Sequence, residues 1–274
     1  MKDNIENPLI SPDYKLGLAL SGGGARGFAH LGAIRALEEA GLKPEILAGV
    51  SAGSVVAAFY GAGLSVDEIM SAFTNKKFSD FANVNLRINA NKSLFDFSKF
   101  KDFVAEMVAP YKNLEELPVP TFIGVTDFDH GEAAEFHTGN IAQSVAASCC
   151  IPICFRPQVI NGVSYVDGGV VRNMPSWIIR SRCRRLIGIN CSPLLTDTSH
   201  DSILDIAFRA YNLMAKANQH LDMDMCDLAV ETPQLAHYKV FNLKEINKVF
   251  ISGYATMKRA LRDVEWLSEI KTGK

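Results

Sequence analysis

The stretch Gly49-Val50-Ser51-Ala52-Gly53 constrains the fold of this chain more than any other. The segment before it, residues 45–48, predicts a short buried strand, and the segment after it, residues 54–62, predicts a buried helix. A serine between small residues at such a junction is typical of a nucleophile elbow, which turns too sharply for large neighbours. Its hydroxyl would lie at a helix N-terminus, where unpaired N–H groups favour negative charge. The alternative is a small-residue turn that only lets a helix pack closely on a sheet.

The composition is that of an ordinary globular protein. The chain has 274 residues, of which 48% are hydrophobic and 21% are charged, and its formal net charge is -2. This balance argues against a nucleic-acid partner, because the densest basic cluster, residues 180–185, is short and interrupted. Since no linker or repeat divides the chain, we expect one domain over residues 1–274, with its motifs between about residues 15 and 185.

The chain shows neither a secretory signal nor a membrane-spanning stretch, so we expect a cytoplasmic protein. Residues 1–14 lack the basic start and the apolar run of a signal peptide. No uninterrupted apolar stretch reaches about 18 residues. Peripheral contact with a membrane and the oligomeric state both stay open. The six cysteines show no Cys-x-x-Cys spacing, and we predict that they are buried free thiols.

Two consecutive strand–helix units open the chain. Residues 15–20 predict a first strand, a glycine-rich loop follows, and a helix extends from about Ala29 to Ala40. Pro44 opens the second strand, which leads to Ser51. Because both strands are continuously apolar rather than alternating, they favour a parallel sheet covered by helices on both faces.

The loop between the first strand and the first helix contains a dinucleotide-binding pattern, Gly22-x-Gly24-x-x-Gly27. That interpretation also needs an acidic residue near the end of the second strand, where this chain has Gly49-Val50-Ser51, so we set it aside. Instead, the residues from Gly22 to Gly24 leave successive backbone N–H groups free to bind an oxyanion. For Arg26 we expect a supporting role, in which it ties the loop down through hydrogen bonds to carbonyls.

An activated serine needs a base within hydrogen-bond reach, and histidine is the usual one. The chain has six histidines, which are His30, His130, His137, His200, His220 and His237. None of them lies in a loop of small residues after a late strand. Asp167 differs, because an apolar strand from a hairpin turn at Asn161-Gly162 leads to it and Gly168 and Gly169 follow. A partly desolvated carboxylate there would accept the serine proton directly, whereas the commoner use of Asp-Gly is a turn.

Three further features concern the interior and the end of the chain. The aromatic residues Phe95, Phe97, Phe100 and Phe103 are predicted core, with the lining of an acyl-chain pocket as the alternative. Residues 201–223 predict one long helix. Residues 244–267 predict a final helix with a break near Gly253.

Four sequence blocks together resemble the patatin-like phospholipases. They are Gly22-Gly23-Gly24-Ala25-Arg26-Gly27, Gly49-Val50-Ser51-Ala52-Gly53, Ala147-Ser148 with Pro152, and Asp167-Gly168-Gly169. They occur in the order of that family between about Lys15 and Pro175, and the resemblance weakens beyond about Arg185. It implies a three-layer α/β/α fold with a mostly parallel central sheet, related to the α/β hydrolases. The small size suggests a compact member of bacterial type.

The resemblance also implies a serine lipid acyl hydrolase of the phospholipase, lysophospholipase or esterase type. Ser51 would be the nucleophile and Asp167 its base, in a Ser–Asp dyad that works through an acyl-enzyme. The oxyanion hole would come from Gly22, Gly23, Gly24, Ala25, Arg26 and Gly27, mainly through the N–H groups of Gly23 and Gly24. The motif-supporting residues would be Gly49, Gly53, Gly168 and Gly169. The partner would be a lipid or acyl-ester substrate, and this chemistry requires no metal and no organic cofactor.

Two alternatives stay open at this point. The first is a Ser–His–Asp esterase that uses one of the late histidines as base, and replacing single histidines distinguishes it from the dyad. The second is a catalytically silent module of the same fold that binds lipid or regulates a partner. The presence of all motif residues argues against this second alternative.

Overall fold

The computed structural model describes residues 13–81, 83–84, 95–194 and 203–272. The strands are β1 Tyr14–Leu20, β2 Ile46–Val50, β3 Asn83–Val84, β4 Phe95–Asp96, β5 Thr121–Asp127, β6 Glu132–Phe136, β7 Gln158–Ile160, β8 Val163–Asp167, β9 Cys183–Asn190 and β10 Leu228–Glu231. The helices are α1 Phe28–Glu39, α2 Ala52–Gly61, α3 Val66–Phe73, α4 Ser98–Met107, α5 Ile141–Ser148, α6 Ser176–Ile179, α7 Ile203–Ala217, α8 Gln219–Asp224, α9 Ile246–Ala260 and α10 Leu267–Thr272. Residues 1–12, on which the location prediction partly rests, lie outside this description, and so does His200.

Eight strands form one mixed central sheet in the order β10-β9-β1-β2-β5-β8-β7, and β6 adds to β5. The pairings that join β10, β9, β1, β2 and β5 are parallel, whereas β6, β7 and β8 pair antiparallel. The predicted hairpin joins β7 to β8, and Asn161 and Gly162 at its turn have φ angles of 53° and 86°. The parallel pairing predicted from the apolar strands is confirmed for β1 and β2, the two strands that precede Ser51.

Alternate residues of the buried strands face opposite sides of this sheet. In β1, Leu18 and Leu20 belong to a large core beneath α1, α2, α3, α4, α5 and α9. The residue between them, Ala19, belongs to a smaller core on the other face, together with Ile178 and Ile179 of α6. Helices thus cover both faces, and the expected three-layer α/β/α architecture is confirmed.

The helices near the end of the chain differ from the sequence prediction in two places. The helix α9 continues through Gly253 without a break. Gly253 is buried against Ala29 of α1, where any side chain would overlap the Ala29 backbone, so this glycine permits a close helix crossing rather than ending a helix. The single helix predicted over residues 201–223 is instead two helices, α7 and α8, which are separated at Asn218.

All six cysteines are free thiols, as the sequence predicted, but only four of them are buried, because Cys149 and Cys226 are half-buried. Burial raises the pKa of Cys150 to about 12 and that of Cys154 to about 11, so both thiols stay protonated at neutral pH. In the part of the chain that the structure describes, no helix combines the length and the apolar character needed to cross a bilayer.

Candidate active site

Ser51 occupies the turn between β2, which ends at Val50, and α2, which begins at Ala52. Its backbone angles, φ 51° and ψ -122°, lie in a region that residues other than glycine rarely adopt. The small neighbours make the turn possible, because a side chain at Gly49 or Gly53 would overlap main-chain atoms. A strained turn from strand to helix that carries a serine is the geometry of a nucleophile elbow.

The hydroxyl of Ser148 fixes this turn to the centre of the sheet. The Ser51 N–H donates to Ser148 Oγ at 2.8 Å, and Ser148 Oγ in turn donates to the Gly124 carbonyl of β5 at 2.7 Å. Ser148 is the last residue of α5 and is fully buried. The sequence block Ala147-Ser148 therefore supports the elbow, since the Ser148 side chain links the Ser51 main chain to β5.

The strands β2 and β8 meet end to end along one edge of β5. Val50, the last residue of β2, pairs with Gly124, and Asp167, the last residue of β8, pairs with Val125. Because β6 pairs with the same stretch of β5 on the opposite edge, β2 and β8 share the remaining edge. They run in opposite directions, and consecutive residues of β5 are only about 3.3 Å apart. This topology brings Asp167 next to Ser51.

Asp167 is fully buried, and its two carboxylate oxygens differ in their hydrogen bonding. Oδ1 accepts a hydrogen bond from the Gly169 N–H at 2.8 Å, whereas Oδ2 has no aligned partner among the described residues. Burial raises the pKa of Asp167 to about 6, and hydrogen bonding from the Ser51 hydroxyl, the Gly169 N–H and the Tyr211 hydroxyl limits this rise. The two hydroxyls thus lie beside the carboxylate without being aligned on Oδ2, a loose arrangement that is common in enzymes without substrate. Such a carboxylate suits a general base that works near neutral pH.

The backbone N–H groups of the glycine loop fall into an engaged set and a free set. Those of Gly22, Ala25 and Arg26 donate to main-chain carbonyls. Within the described ranges, the N–H groups of Gly23 and Gly24 have no acceptor. Both glycines line a small cavity that also contacts Ser51. Of the six loop residues proposed for the oxyanion hole, these two are the ones with an N–H group available for it.

The conformation of the loop requires glycine at residue 24. Gly24 has a φ angle of 56°, and a side chain there would collide with Val240. A single 3₁₀ turn, Gly24–Gly27, leads directly into α1, and Gly27 packs closely on Ala52 at the start of α2. The two motif turns are therefore in direct contact, and each limits the space that is available to the other.

Arg26 ties the loop to the later part of the chain, as predicted from the sequence. Its Nε donates to the Tyr238 carbonyl at 2.8 Å. Its two terminal nitrogens donate to the carbonyls of Pro193 and Ala236, each at 3.4 Å. The guanidinium is thus committed to main-chain acceptors, and this supports a structural role.

An apolar cavity of about 150 Å³ opens beside Ser51. Eight phenylalanines line much of it, namely Phe28, Phe73, Phe78, Phe81, Phe97, Phe100, Phe155 and Phe241. Two of the aromatic residues singled out in the sequence, Phe97 and Phe100, are therefore in the wall of a pocket. The other two, Phe95 and Phe103, pack against other rings and are not part of this wall.

No described histidine lines either cavity at Ser51. His30 is fully buried, with Nε2 at 2.8 Å from the Ser21 carbonyl and Nδ1 at 3.3 Å from Cys191 Sγ. Burial lowers the pKa of His30 to about 4, so its ring is neutral and serves as a hydrogen-bonding support behind the glycine loop. The described part of the chain thus offers no histidine base for Ser51.

Two residues of this site were not identified from the sequence. Tyr211 of α7 reaches the Asp167 carboxylate, and the side chain of Asn173 lies against Gly22 and Gly169. Neither belongs to a motif. The amphipathic pattern of α7 shows that one face is buried, but only the tertiary structure reveals which residue that face meets.

The chain is similar in sequence to known proteins. The sequence profile described as "Patatin-like phospholipase" matches residues 18–178. An NTE family protein of Mycobacterium bovis is 31% identical over 168 residues, which are 60% of this chain and 45% of that protein. Lysophospholipase NTE1 of Cryptococcus neoformans is 30% identical over 189 residues, which are 68% of this chain and 12% of that protein. The chain therefore spans less than half the length of these relatives.

A solved structure shows the same architecture. VipD from Legionella pneumophila superposes with a TM-score of 0.50 and 14% sequence identity, and the match covers 93% of this chain and 68% of that chain. At this identity the likeness concerns the fold alone. The sequence profile covers more than half of the chain and includes Ser51 and Asp167. This chain belongs to the patatin-like phospholipase family.

Proposed function

We propose that the protein is a serine lipid acyl hydrolase in which Ser51 and Asp167 form the catalytic dyad. The observation that carries this proposal is the meeting of two unusual groups at one edge of β5. One is a serine in a strained strand-to-helix turn, and the other is a buried carboxylate whose Oδ2 has no aligned partner among the residues that the structure describes. Strain and unpaired buried polar atoms persist mainly where function needs them.

In the first half of the reaction, Asp167 Oδ2 accepts the proton of the Ser51 hydroxyl while Ser51 Oγ attacks the ester carbonyl carbon. The free N–H groups of Gly23 and Gly24 then stabilise the negative charge on the carbonyl oxygen. When the tetrahedral intermediate collapses, the bond to the alcohol breaks and Asp167 returns its proton to the leaving oxygen.

In the second half, a water molecule takes the place of the alcohol. Asp167 accepts a proton from this water as the water oxygen attacks the acyl carbon of the acyl-enzyme. Collapse of the second intermediate breaks the ester bond to Ser51, which recovers its proton from Asp167, and the fatty acid leaves. Since the pKa of Asp167 is about 6, the carboxylate is mostly ionised at pH 7 and is ready to accept a proton.

The cavity supports an acyl ester with an apolar chain as the substrate class. A volume of about 150 Å³ is enough for a small apolar group, so it would hold the first carbons of an acyl chain next to Ser51. Two relatives carry the names lysophospholipase and patatin-like phospholipase domain-containing protein, which supports an ester of this kind. The expectation of a cytoplasmic protein rests on the sequence alone.

Hydrolysis of lysophosphatidylcholine and of p-nitrophenyl acyl esters tests the proposal. We expect turnover by the wild type and its loss in Ser51→Ala. The matched control is Ser144→Ala, because Ser144 is a buried helical serine that lines neither cavity. Turnover in a folded Ser51→Ala variant would overturn the dyad. Binding of fatty acid by a folded wild type that shows no turnover would support a silent lipid-binding module instead.

A further inference from the structure

The side chain of Tyr211 approaches the catalytic carboxylate from a helix that the sequence motifs do not include. The helix α7 packs on the turn that follows Asp167, residues Gly168–Val170. The space above Gly169 is closed by three polar atoms, which are the Tyr211 hydroxyl, Asp167 Oδ1 and Asn173 Oδ1. The Tyr211 hydroxyl and the carboxylate therefore converge on the same glycine.

The phenol of Tyr211 is suited to donate a hydrogen bond and unsuited to transfer a proton. Burial raises the pKa of Tyr211 well above its ordinary value of 10, and the nearby charge of Asp167 raises it further. The hydroxyl therefore keeps its proton throughout the pH range in which an ester hydrolase works. A hydroxyl of this kind stabilises the charged form of a carboxylate that accepts its hydrogen bond.

We propose that Tyr211 is a positioning residue of the dyad, whose hydroxyl donates to the Asp167 carboxylate and so favours its ionised form beside Ser51. This inference rests on the proposed function, because it assumes that Asp167 is the base. It assigns a role to α7, which lies beyond the matched residues 18–178. It also explains how a carboxylate that is fully buried, and that has no cationic partner in the described ranges, retains its charge near neutral pH.

Other groups near Asp167 do not account for its ionisation. Within the described part of the chain, the thiols of Cys149 and Cys150 are the other titratable groups that interact electrostatically with Asp167. Burial raises the pKa values of both thiols, so they are neutral in the working range. Arg26 lines the small cavity that Ser51 and Tyr211 also line, but its guanidinium donates to main-chain carbonyls. Hydrogen-bond donors are therefore what stabilises this carboxylate, and Tyr211 supplies one of them.

The experiment is the pH dependence of kcat/KM for a p-nitrophenyl acyl ester, with wild type and Tyr211→Phe. Because the base must be ionised, the wild-type rate should fall as the pH decreases through about 6. We call this fall in rate at low pH the acid limb of the profile. Loss of one hydrogen bond to a charged group should move the midpoint of the acid limb to a higher pH by about one unit. We expect about tenfold lower kcat/KM at pH 5.5, a difference below about threefold at pH 8.5, and an unchanged KM.

The matched control is Tyr254→Phe. The Tyr254 hydroxyl also donates to a carboxylate, that of Glu39, at 2.7 Å, but Tyr254 lines neither cavity. Its acid limb should coincide with that of the wild type. Since the position of the limb does not depend on the concentration of folded enzyme, it remains measurable even where Tyr211→Phe lowers the yield.

Each outcome distinguishes this inference from the proposed function. An acid limb of Tyr211→Phe at the wild-type pH, or a uniform loss of rate at every pH, would overturn the role of Tyr211 and leave the dyad intact. Turnover that survives in Ser51→Ala would instead overturn the proposed function itself. The rate of fluorophosphonate labelling of Ser51, measured over the same pH series, provides a second readout. This rate does not depend on release of an alcohol from an ester.

Discussion

The carboxylate of Asp167 is held in a state that favours reactivity over stability. It is fully buried, one oxygen is satisfied by the Gly169 N–H, and the other has no aligned partner within the described part of the chain. An unpaired buried acceptor is unfavourable for the folded state. The folded protein retains this acceptor beside Ser51, where the proposed mechanism requires a group that accepts a proton.

Replacing Asp167 by asparagine should therefore separate activity from stability. We expect Asp167→Asn to lose about 10³-fold in kcat, because an amide does not accept the Ser51 proton. In the wild type the pKa of Asp167 rises from 3.8 to about 6 on folding, so stability decreases by about 3 kcal/mol as the pH rises from about 4 to about 6. Because asparagine does not ionise, Asp167→Asn does not lose stability over this pH range. The variant should therefore melt at a higher temperature than wild type at pH 8. Retained turnover in the folded variant would exclude Asp167 as the base.

The Ser148 hydroxyl offers a second residue to test. Ser148→Ala leaves the buried Ser51 N–H and the Gly124 carbonyl without their partner, so it should reduce stability by about 1–3 kcal/mol and lower kcat. Ser144→Ala is the matched control on the same helix, because the Ser144 hydroxyl donates to the Asn140 carbonyl, which also accepts the Ser144 N–H. Thermal melting and ester turnover measure both effects. Equal behaviour of the two variants would show that Ser148 does not support the elbow.

For single residues of the site, those within local sequence motifs were predictable, whereas those contributed by distant segments of the chain were not. Ser51 and Asp167 are flanked by glycines that a sharp turn requires, so their surroundings are visible in the sequence. Tyr211 carries no such local mark, since its role depends on where α7 docks.

Among the elements, α2 joins Ser51, the proposed nucleophile, to the apolar cavity. It begins directly after Ser51, and one turn later Val55 lines the cavity wall. Side chains four residues apart lie on the same face of a helix. The size of residue 55 should therefore decide how much acyl chain fits next to the reacting carbonyl.

Substitutions at Val55 in opposite directions test this. Val55→Phe should reduce kcat/KM for an octanoyl ester at least tenfold while changing that for an acetyl ester by less than about threefold, because the added ring occupies the cavity. Val55→Ala should shift the preference toward longer chains. Hydrolysis of a series of p-nitrophenyl esters measures both. Identical chain-length profiles for the two variants would show that the acyl chain lies elsewhere.

The crossing of α1 and α9 gives a prediction about stability. Alanine is a better helix former than glycine by about 1 kcal/mol, so propensity alone predicts that Gly253→Ala stabilises the protein. The added methyl group, however, would overlap the Ala29 backbone, and overpacking of this kind costs about 1–3 kcal/mol. We expect the overlap to dominate and the melting temperature to fall. A rise would mean that the two helices separate easily.

The same crossing shows why part of the element prediction was wrong. A glycine within a helical pattern signals either a helix end or a close contact, and the local sequence does not distinguish these two causes. Gly253 belongs to the second case, because its partner Ala29 is more than two hundred residues away in the chain. The strands β1 and β2, in contrast, were predictable, since continuous apolar runs of their length indicate burial on both faces.

In the molecule as a whole, the site exists because a parallel and an antiparallel part of the sheet share one strand. The ends of β2 and β8 reach consecutive residues of β5, Gly124 and Val125. The motifs predicted that Ser51 and Asp167 are functional, but not that an antiparallel strand would bring them together. That arrangement follows from the register along β5, which depends on pairings between distant segments.

The central claim is that Ser51 is a nucleophile activated within this fold, and covalent labelling tests it most directly. Intact-mass measurement after reaction with a fluorophosphonate should show one adduct on the wild type and on Ser144→Ala, and none on Ser51→Ala. Peptide mapping should place the adduct on Ser51, and labelling of Asp167→Asn should be slower than that of the wild type. An adduct on folded Ser51→Ala at the wild-type rate, or no adduct on the folded wild type, would contradict the claim.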